Sequence, residues 1–250
     1  MSEFDYTRIP VGFYETVLHT GHPVRRCWHL QKFERIRECL PLRPGQSLLD
    51  IGCFAGSFLS QQSPTQFVRQ LGVDILPEQI EYATKNFGKP YREFRKISAS
   101  SGLAEINESF DCITLIEVIE HLPQSEAQSL LKEICRMTKP GGSFVFSTPN
   151  YISLWPFLEF YLNHFGDINY EEQHILKFNY FNLISKLKRI YPPLLEKFDV
   201  EFVTTTHFAA PFLAAISLEW AQKISKSFPH NRWHFPFGAL LVASLKRRNI

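Results

Sequence analysis

The chain has 250 residues, 44% hydrophobic and 21% charged, an ordinary globular balance long enough for one large domain with a core, or a domain plus a cap. A formal net charge of +2 excludes the strong basic field with which proteins hold nucleic acid. Five cysteines (Cys27, Cys39, Cys53, Cys112, Cys135) without CxxC spacing exclude a disulfide framework and a zinc ribbon, and fit a reducing cytoplasm.

The opening "MSEFDYTRIP" lacks the basic-then-apolar pattern of a signal segment, and no apolar run is long enough to span a membrane. A cytoplasmic protein is expected. Residues 1–46 precede the first clear strand and read as an N-terminal helical cap, with helical spacing of apolar residues over 24–40. From 47 onward strands and helices alternate. "SLLDIG" is a strand, "GSFLSQQ" starts a short helix, and "FVRQLGVDI" is a second strand. "PEQIEYATKNFG" is a helix with Pro at its start and Gly at its end. "REFRKIS" and "FDCITLIEVI" are the third and fourth strands. "SEAQSLLKEICRMT" is a helix with Ser125 as N-cap, closed by "KPGG", and "SFVFSTPN" is the fifth strand. An aromatic-rich insertion at 151–174 follows, carrying Trp155, Phe157, Phe160, Tyr161 and Phe165. "NYFNLISKLKRIY" resumes as a helix, and "FDVEFVTTTHF" and "FGALLVASLK" are two closing strands. "HFAAPFLAAISLEWAQKI", 207–224, reads as a buried helix, with contact to a membrane surface as its alternative. The alternation implies an α/β fold: a doubly wound, mostly parallel seven-stranded sheet with helices on both faces and a small helical cap, one domain from 47 to 250.

"LLDIGCFAGSF" carries the first chemical signal. Gly52 and Gly56 follow an apolar strand and open a helix, where glycine lets the chain turn sharply and a ligand come close. Asp74 ends the next strand, 24 residues after Asp50, where a carboxylate suits a ribose diol. A nicotinamide-dependent dehydrogenase would want a complete GxGxxG, which "GCFAGS" does not supply.

Taken in order, "LLDIGCFAGSF…GVDI…FDCITLIEVIEHL…LLKEICRMTKPGGSFVFSTPN" resembles the class I S-adenosylmethionine-dependent methyltransferases over about 47–150, and more weakly through "EEQHILKFNYFNLISKL". The resemblance implies a Rossmann-like methyltransferase fold and S-adenosylmethionine as cofactor. It implies cofactor contacts at Asp50, Gly52, Cys53, Gly56, Asp74, Ile75, Ser98 and Glu117. Two positions depart from the family pattern. Phe54 stands where the middle glycine belongs, and Ser98 with Ala99 replaces the Gly-Asp pair that meets adenine. Adenine recognition then falls to backbone groups or to Ser98 and Ser100.

"TLIEVIEHLP", 114–123, brings Glu117, Glu120 and His121 to a strand end. In the family this end lies beside the transferred methyl group. Three roles are open. "E-x-x-E-H" resembles O-methyltransferases acting on polyprenyl catechols and on the 3′-terminal 2′-hydroxyl of small RNAs. In the RNA enzymes two Glu and two His hold a divalent ion; here Glu117, Glu120, His121 and His174 match, a donor set suited to Mg²⁺, Mn²⁺ or Co²⁺. Alternatively Glu117 and His121 serve acid–base catalysis. Alternatively the three only shape the loop. The expected reaction is methyl transfer to a small-molecule or lipid-like acceptor, at oxygen before nitrogen or carbon. A metal-dependent RNA 3′-end enzyme and a non-catalytic binding module are the alternatives; the near-neutral charge speaks against nucleic acid as partner, while peripheral membrane contact stays open.

Overall fold

The computed structural model describes residues 9–41, 43–153, 174–207, 213–226 and 236–249. Two helices come first, α1 (Phe13–Thr20) and α2 (Pro23–Cys39). Then follow β1 (Gln46–Ile51), α3 (Ser57–Ser60), β2 (Phe67–Asp74), α4 (Pro77–Phe87), β3 (Arg92–Lys96), β4 (Phe110–Ile116), α5 (Gln124–Met137) and β5 (Thr138–Pro149). The last described elements are α6 (Leu183–Ile190), α7 (Pro193–Lys197), β6 (Phe198–Thr206), α8 (Leu218–Lys226) and β7 (Leu240–Arg247).

The seven strands form one sheet in the order β3-β2-β1-β4-β5-β7-β6. The first five pair in parallel, and β7 runs antiparallel between β5 and β6. This is the doubly wound, mostly parallel architecture expected from the alternation. Both faces are covered, which explains why the strands are apolar at nearly every position. Leu49, Ile113, Leu115, Phe144 and Phe146 point to the face packed by α5 and α6. Their neighbours Leu48, Cys112 and Val145 point to the other face, where Phe33 and Ile36 of α2 and Ile80 of α4 close the core. The period-2 alternation of strand side chains places each residue. Strand order reverses between β1 and β4, and in such sheets ligands bind at that switch point, outside the carboxyl ends of the strands. Because β7 reverses and β6 reverses again, the end of β6 lies on the same edge as the ends of β1 and β4.

Four local expectations change. The fourth strand stops at Ile116 rather than reaching Ile119, because Glu117 takes a left-handed conformation (φ +52°) that ends the ladder. Its N–H still donates to the Ser147 carbonyl at 3.1 Å. Ser125 is not the N-cap of α5. The helix starts at Gln124 behind Pro123, whose fixed φ of −56° and extended ψ already end the preceding loop. "KPGG" belongs to β5 rather than to a helix stop, with Gly141 at φ +69° turning the strand's first residues. Finally, the described part of the 207–224 segment is buried on one side only. Ala214 and Ala221 pack with Cys27 of α2, whereas Ile216 and Trp220 are 88% and 68% exposed. Small residues allow the close approach and leave the large ones outside. The aromatic side chains Trp155, Phe157, Phe160, Tyr161 and Phe165 lie outside the described residues.

Candidate active site

The loop between β1 and α3 is built from backbone. Gly52 turns at φ +74°, and the N–H groups of Gly52 and Cys53 both donate to the Val73 carbonyl, at 2.8 and 3.0 Å. A Cβ on Gly52 would come within 2.4 Å of Val118 Cγ2, so conformation and space both reserve this position for glycine. Phe54, in place of the middle glycine, nonetheless adopts the left-handed φ of +47°. Its N–H donates to Asp74 Oδ2 at 2.8 Å, and its ring lies 4.8 Å from that of Tyr14. The departure from the family pattern is therefore in residue type, while the glycine-like backbone shape is kept.

Asp74 ties this loop to the next helix, since its Oδ1 also accepts from the Leu76 N–H at 3.0 Å. Burial pushes its carboxyl up, against the pull of the backbone N–H groups of Leu76, Phe54 and Ile75. Each oxygen keeps a further lone pair for a ligand. Asp50 sits opposite Thr114 in the β1–β4 register and accepts that hydroxyl's proton at 2.6 Å. Burial, helped by the Asp74 charge and opposed by the Thr114 hydrogen bond, raises Asp50 to about 7. The Cys53 thiol is held well above its ordinary range by burial and by the two aspartates, so it is no nucleophile. Ile75 is exposed at the end of β2, and Ser98 is exposed before Ala99, itself at φ +50°. The Ser100 hydroxyl donates to the Glu126 carbonyl at 3.3 Å.

A pocket opens beside this loop. Segment 50–58 and Ile116 supply one side, and Tyr14, Lys32 and Phe33 of the N-terminal helices the other. Asp50, Gly52 and Cys53 line it; Gly56, Asp74, Ile75, Ser98 and Glu117 do not. The Ser57 hydroxyl on its wall is buried and has no hydrogen-bond partner.

The turn after β4 has a different character. The Glu117 carboxylate forms an ion pair with the Lys32 ammonium, both largely buried. Burial alone would raise Glu117, but the Lys32 charge and hydrogen bond outweigh it and hold the carboxyl below its usual range. Glu120 is fully buried and neither of its oxygens makes a hydrogen bond, His121 Nε2 standing 4.0 Å from Oε1. Burial, and next the Glu117 charge, push it up to about 8. Its backbone carbonyl anchors the returning chain by accepting from the N–H groups of Ile175 and Leu176 at 2.8 and 2.9 Å. That contact delivers His174. Glu120, His121 and His174 bring one ligand atom each within 4.8 Å of one another, and Tyr151 Oη lies 2.7 Å from His174 Nδ1. Glu117 is outside this group, its carboxylate engaged by Lys32.

Residue-pattern reasoning missed Lys32, Tyr14, His29 and His207. His207 follows β6 in a left-handed conformation (φ +68°), with Nε2 2.8 Å from the Trp28 carbonyl and its ring 4.2 Å from the Trp28 ring. The Nδ1 atoms of His29 and His207 are both buried without a partner. His207 was findable, because the carboxyl-end rule applied to β1, β2 and β4 applies equally to the "TTTHF" end of β6. Lys32 was not, because one lysine between the helically spaced apolar residues of 24–40 carries no mark of burial.

Comparison with known proteins follows the same lines. Residues 27–190 match a family model described as a methyltransferase domain. The ubiquinone biosynthesis O-methyltransferase of Pseudomonas putida is 29% identical over 163 residues, covering 60% of this chain and 66% of the relative, just under two thirds of its length. A S-adenosylmethionine-dependent methyltransferase from Archaeoglobus fulgidus superposes with a TM-score of 0.60 at 20% identity, covering 97% of this chain and all of that one. The N-methyltransferase NodS from Bradyrhizobium japonicum, in complex with S-adenosyl-L-homocysteine, superposes with a TM-score of 0.56 at 17% identity, covering 92% and 90%. These structural likenesses establish the shared fold.

Proposed function

Because the chain belongs to the methyltransferase-domain family, the class I S-adenosylmethionine-dependent methyltransferases, we propose that it transfers a methyl group from S-adenosylmethionine to an oxygen of a small or lipid-like acceptor. The observation that carries this reading is convergence. The glycine loop, the Asp74 end of β2 and the acidic turn after β4 meet at the switch point of the sheet, beside one pocket.

The residues present fit the cofactor. The pocket wall carries an unpartnered hydroxyl, Ser57 Oγ, a carboxyl at Asp50, and backbone held open by Gly52. Asp50 and the Gly52–Gly56 loop would hold the amino-acid end, and Asp74 with Ile75 the ribose. Ser98, exposed beside Ala99, which stands where the family carries an acid, is the side chain left for adenine. When bound, S-adenosylmethionine supplies a methyl carbon on a sulfonium, which needs an aligned nucleophile more than covalent help. The protein's part is to orient the acceptor, to exclude water with Tyr14 and Phe54, and to take the acceptor's proton. At the β4 end Glu117 would serve an electrostatic role and His121 a proton-handling one.

A metal-assisted form of the same reaction is favoured by one observation, the Glu120 carboxyl buried with neither oxygen hydrogen-bonded beside His121 and His174. Three donors of this kind suit Mg²⁺, Mn²⁺ or Co²⁺, which would lower a hydroxyl's pKa. Manganese titration by calorimetry checks it: binding by the wild type and none by Glu120→Gln supports the metal, and no binding by either sinks it. The lipid-like end of the acceptor is supported by the outward residues Ile216, Trp220 and Ile224 around α8, which suit a membrane surface. The reaction itself is tested by incubating the chain with methyl-labelled S-adenosylmethionine and matched hydroxyl and amine acceptors. Label on oxygen is expected; label on nitrogen alone would overturn the reading.

A further inference from the structure

Polar groups from three separate parts of the chain meet at the carboxyl edge of the sheet. His29 and Lys32 come from α2, Glu117 from the end of β4 and His207 from the end of β6. Lys32 lines the pocket. His29 stands one helical turn before it, its ring tilted against that of Tyr14, another lining residue, at 4.7 Å. Three features of this group have no structural explanation. An ion pair with both partners largely buried is weak evidence for stability, since desolvation offsets much of its attraction. Two imidazole nitrogens are buried and unpartnered, where native structures satisfy nearly all such atoms. Glu117 and His207 both hold positive φ, a strain that concentrates at functional sites.

The hydrogen bonding fixes the chemistry of His207. A carbonyl only accepts, so the Trp28 oxygen requires the proton on Nε2 and leaves Nδ1 with a bare lone pair. Lys32 has three N–H donors, and Glu117 uses one. The group thus sets a buried proton acceptor within electrostatic reach of an ammonium with donors to spare, and of the four residues Lys32 is the one that lines the pocket.

We propose that His207 Nδ1 and the Lys32 ammonium form the site that receives the acceptor's hydroxyl, with His207 accepting its proton and Lys32, held by Glu117, steadying the oxyanion. The proposal rests on the methyl-transfer reading above. As the O–H proton moves to Nδ1, an oxygen lone pair forms the bond to the methyl carbon. The carbon–sulfur bond breaks with its pair kept by sulfur, and the proton passes to solvent after product release. The matching acceptor class is a phenol-type hydroxyl, the most acidic of ordinary hydroxyls, whose oxyanion the Lys32 ammonium would stabilise as the proton leaves. Burial, against the Trp28 hydrogen bond and the Glu117 charge, and assisted by Lys32 and Arg35, lowers His207 to about 4, which keeps Nδ1 unprotonated near neutrality. His29, lowered by burial and by Lys32, is neutral beside it. Tyr14, Phe33 and Phe54, which line the pocket, supply flat walls for an aromatic ring.

The probe is 4-nitrophenol, whose ionised form is coloured, added to the protein saturated with S-adenosyl-L-homocysteine. In the wild type the bound probe is expected to ionise about one pH unit or more below the free compound, because a nearby cation favours the charged form. His207→Gln keeps a donor for the Trp28 carbonyl and removes the basic nitrogen, together with the ring contact to Trp28. It is expected to lower the methylation rate of the probe by about 100-fold or more and to flatten the pH profile, with S-adenosyl-L-homocysteine affinity unchanged. Lys32→Met leaves Glu117 buried and unpaired, so the double variant Lys32→Met/Glu117→Gln is the cleaner one; it is expected to abolish the ionisation shift. A probe that does not bind the wild type, or binds with its free-solution ionisation, overturns the proposal, as does a His207→Gln variant with wild-type rate and profile. Failure of the wild type to bind S-adenosyl-L-homocysteine would instead remove the reading beneath it.

Discussion

The loop after β1 and the turn after β4 face the same pocket edge, yet they treat polar groups in opposite ways. In the loop every carboxylate is answered locally: Asp74 by the Phe54 and Leu76 N–H groups, Asp50 by Thr114. Around the turn, Glu120, His29 and His207 keep buried atoms with no partner, and Glu117 is answered only by a lysine from the distant helix α2. The difference separates scaffold from chemistry. A loop whose carboxylates are already satisfied is rigid before a ligand arrives, while unanswered groups, Ser57 Oγ on the pocket wall among them, wait for one at a standing cost in stability.

The largest test of this contrast breaks the ion pair that ties the turn to helix α2. Lys32→Met is expected to destabilise the chain by about 3–5 kcal/mol by leaving Glu117 unpaired, and adding Glu117→Gln is expected to recover most of that loss in urea unfolding. Next comes the loop's rigidity. Gly52→Ala forces a side chain into a left-handed turn and against Val118, and is expected to cost about 2–3 kcal/mol and at least about tenfold in S-adenosyl-L-homocysteine affinity. A smaller effect concerns Asp50. Its folded pKa of about 7 stands above the unfolded value, so the native state holds a proton there that the unfolded chain has lost. Its contribution to stability is therefore full below the unfolded value and falls as pH rises through about 7. Relative to the wild type, Asp50→Asn should gain on the order of 1–2 kcal/mol between about pH 5 and about pH 8, read from urea midpoints. The smallest effect is expected at Phe54→Gly. Relief of the left-handed strain, about 1 kcal/mol, offsets loss of the Tyr14 contact of similar size, leaving stability within about 1 kcal/mol of wild type.

The same contrast explains what the sequence made legible. Strand order and the glycine loop are local: an apolar run, a Gly52 and an Asp74 mark themselves through backbone demands that only certain residues meet. The Glu117–Glu120–His121 crowding was visible too, and His174 was placed beside it through a strand-to-loop return that the backbone of Glu120 anchors. The other half of the candidate site is non-local. Lys32 sits 85 residues from Glu117, and His207 lies 179 residues from the Trp28 carbonyl that sets its tautomer. Their pairing depends on how α2 crosses the sheet edge, which no spacing encodes. The early end of β4 escaped for a similar reason, since Val118 and Ile119 continue the apolar run while Glu117 has already turned.

The central claim is that this chain binds S-adenosylmethionine at the β1 loop to methylate an acceptor, and calorimetric titration with its demethylated product, S-adenosyl-L-homocysteine, tests it most directly. Saturable one-to-one binding to the wild type, weakened by Gly52→Ala and untouched by His207→Gln, is the expected result. No heat and no saturation by either S-adenosylmethionine or S-adenosyl-L-homocysteine in the folded wild type would contradict it.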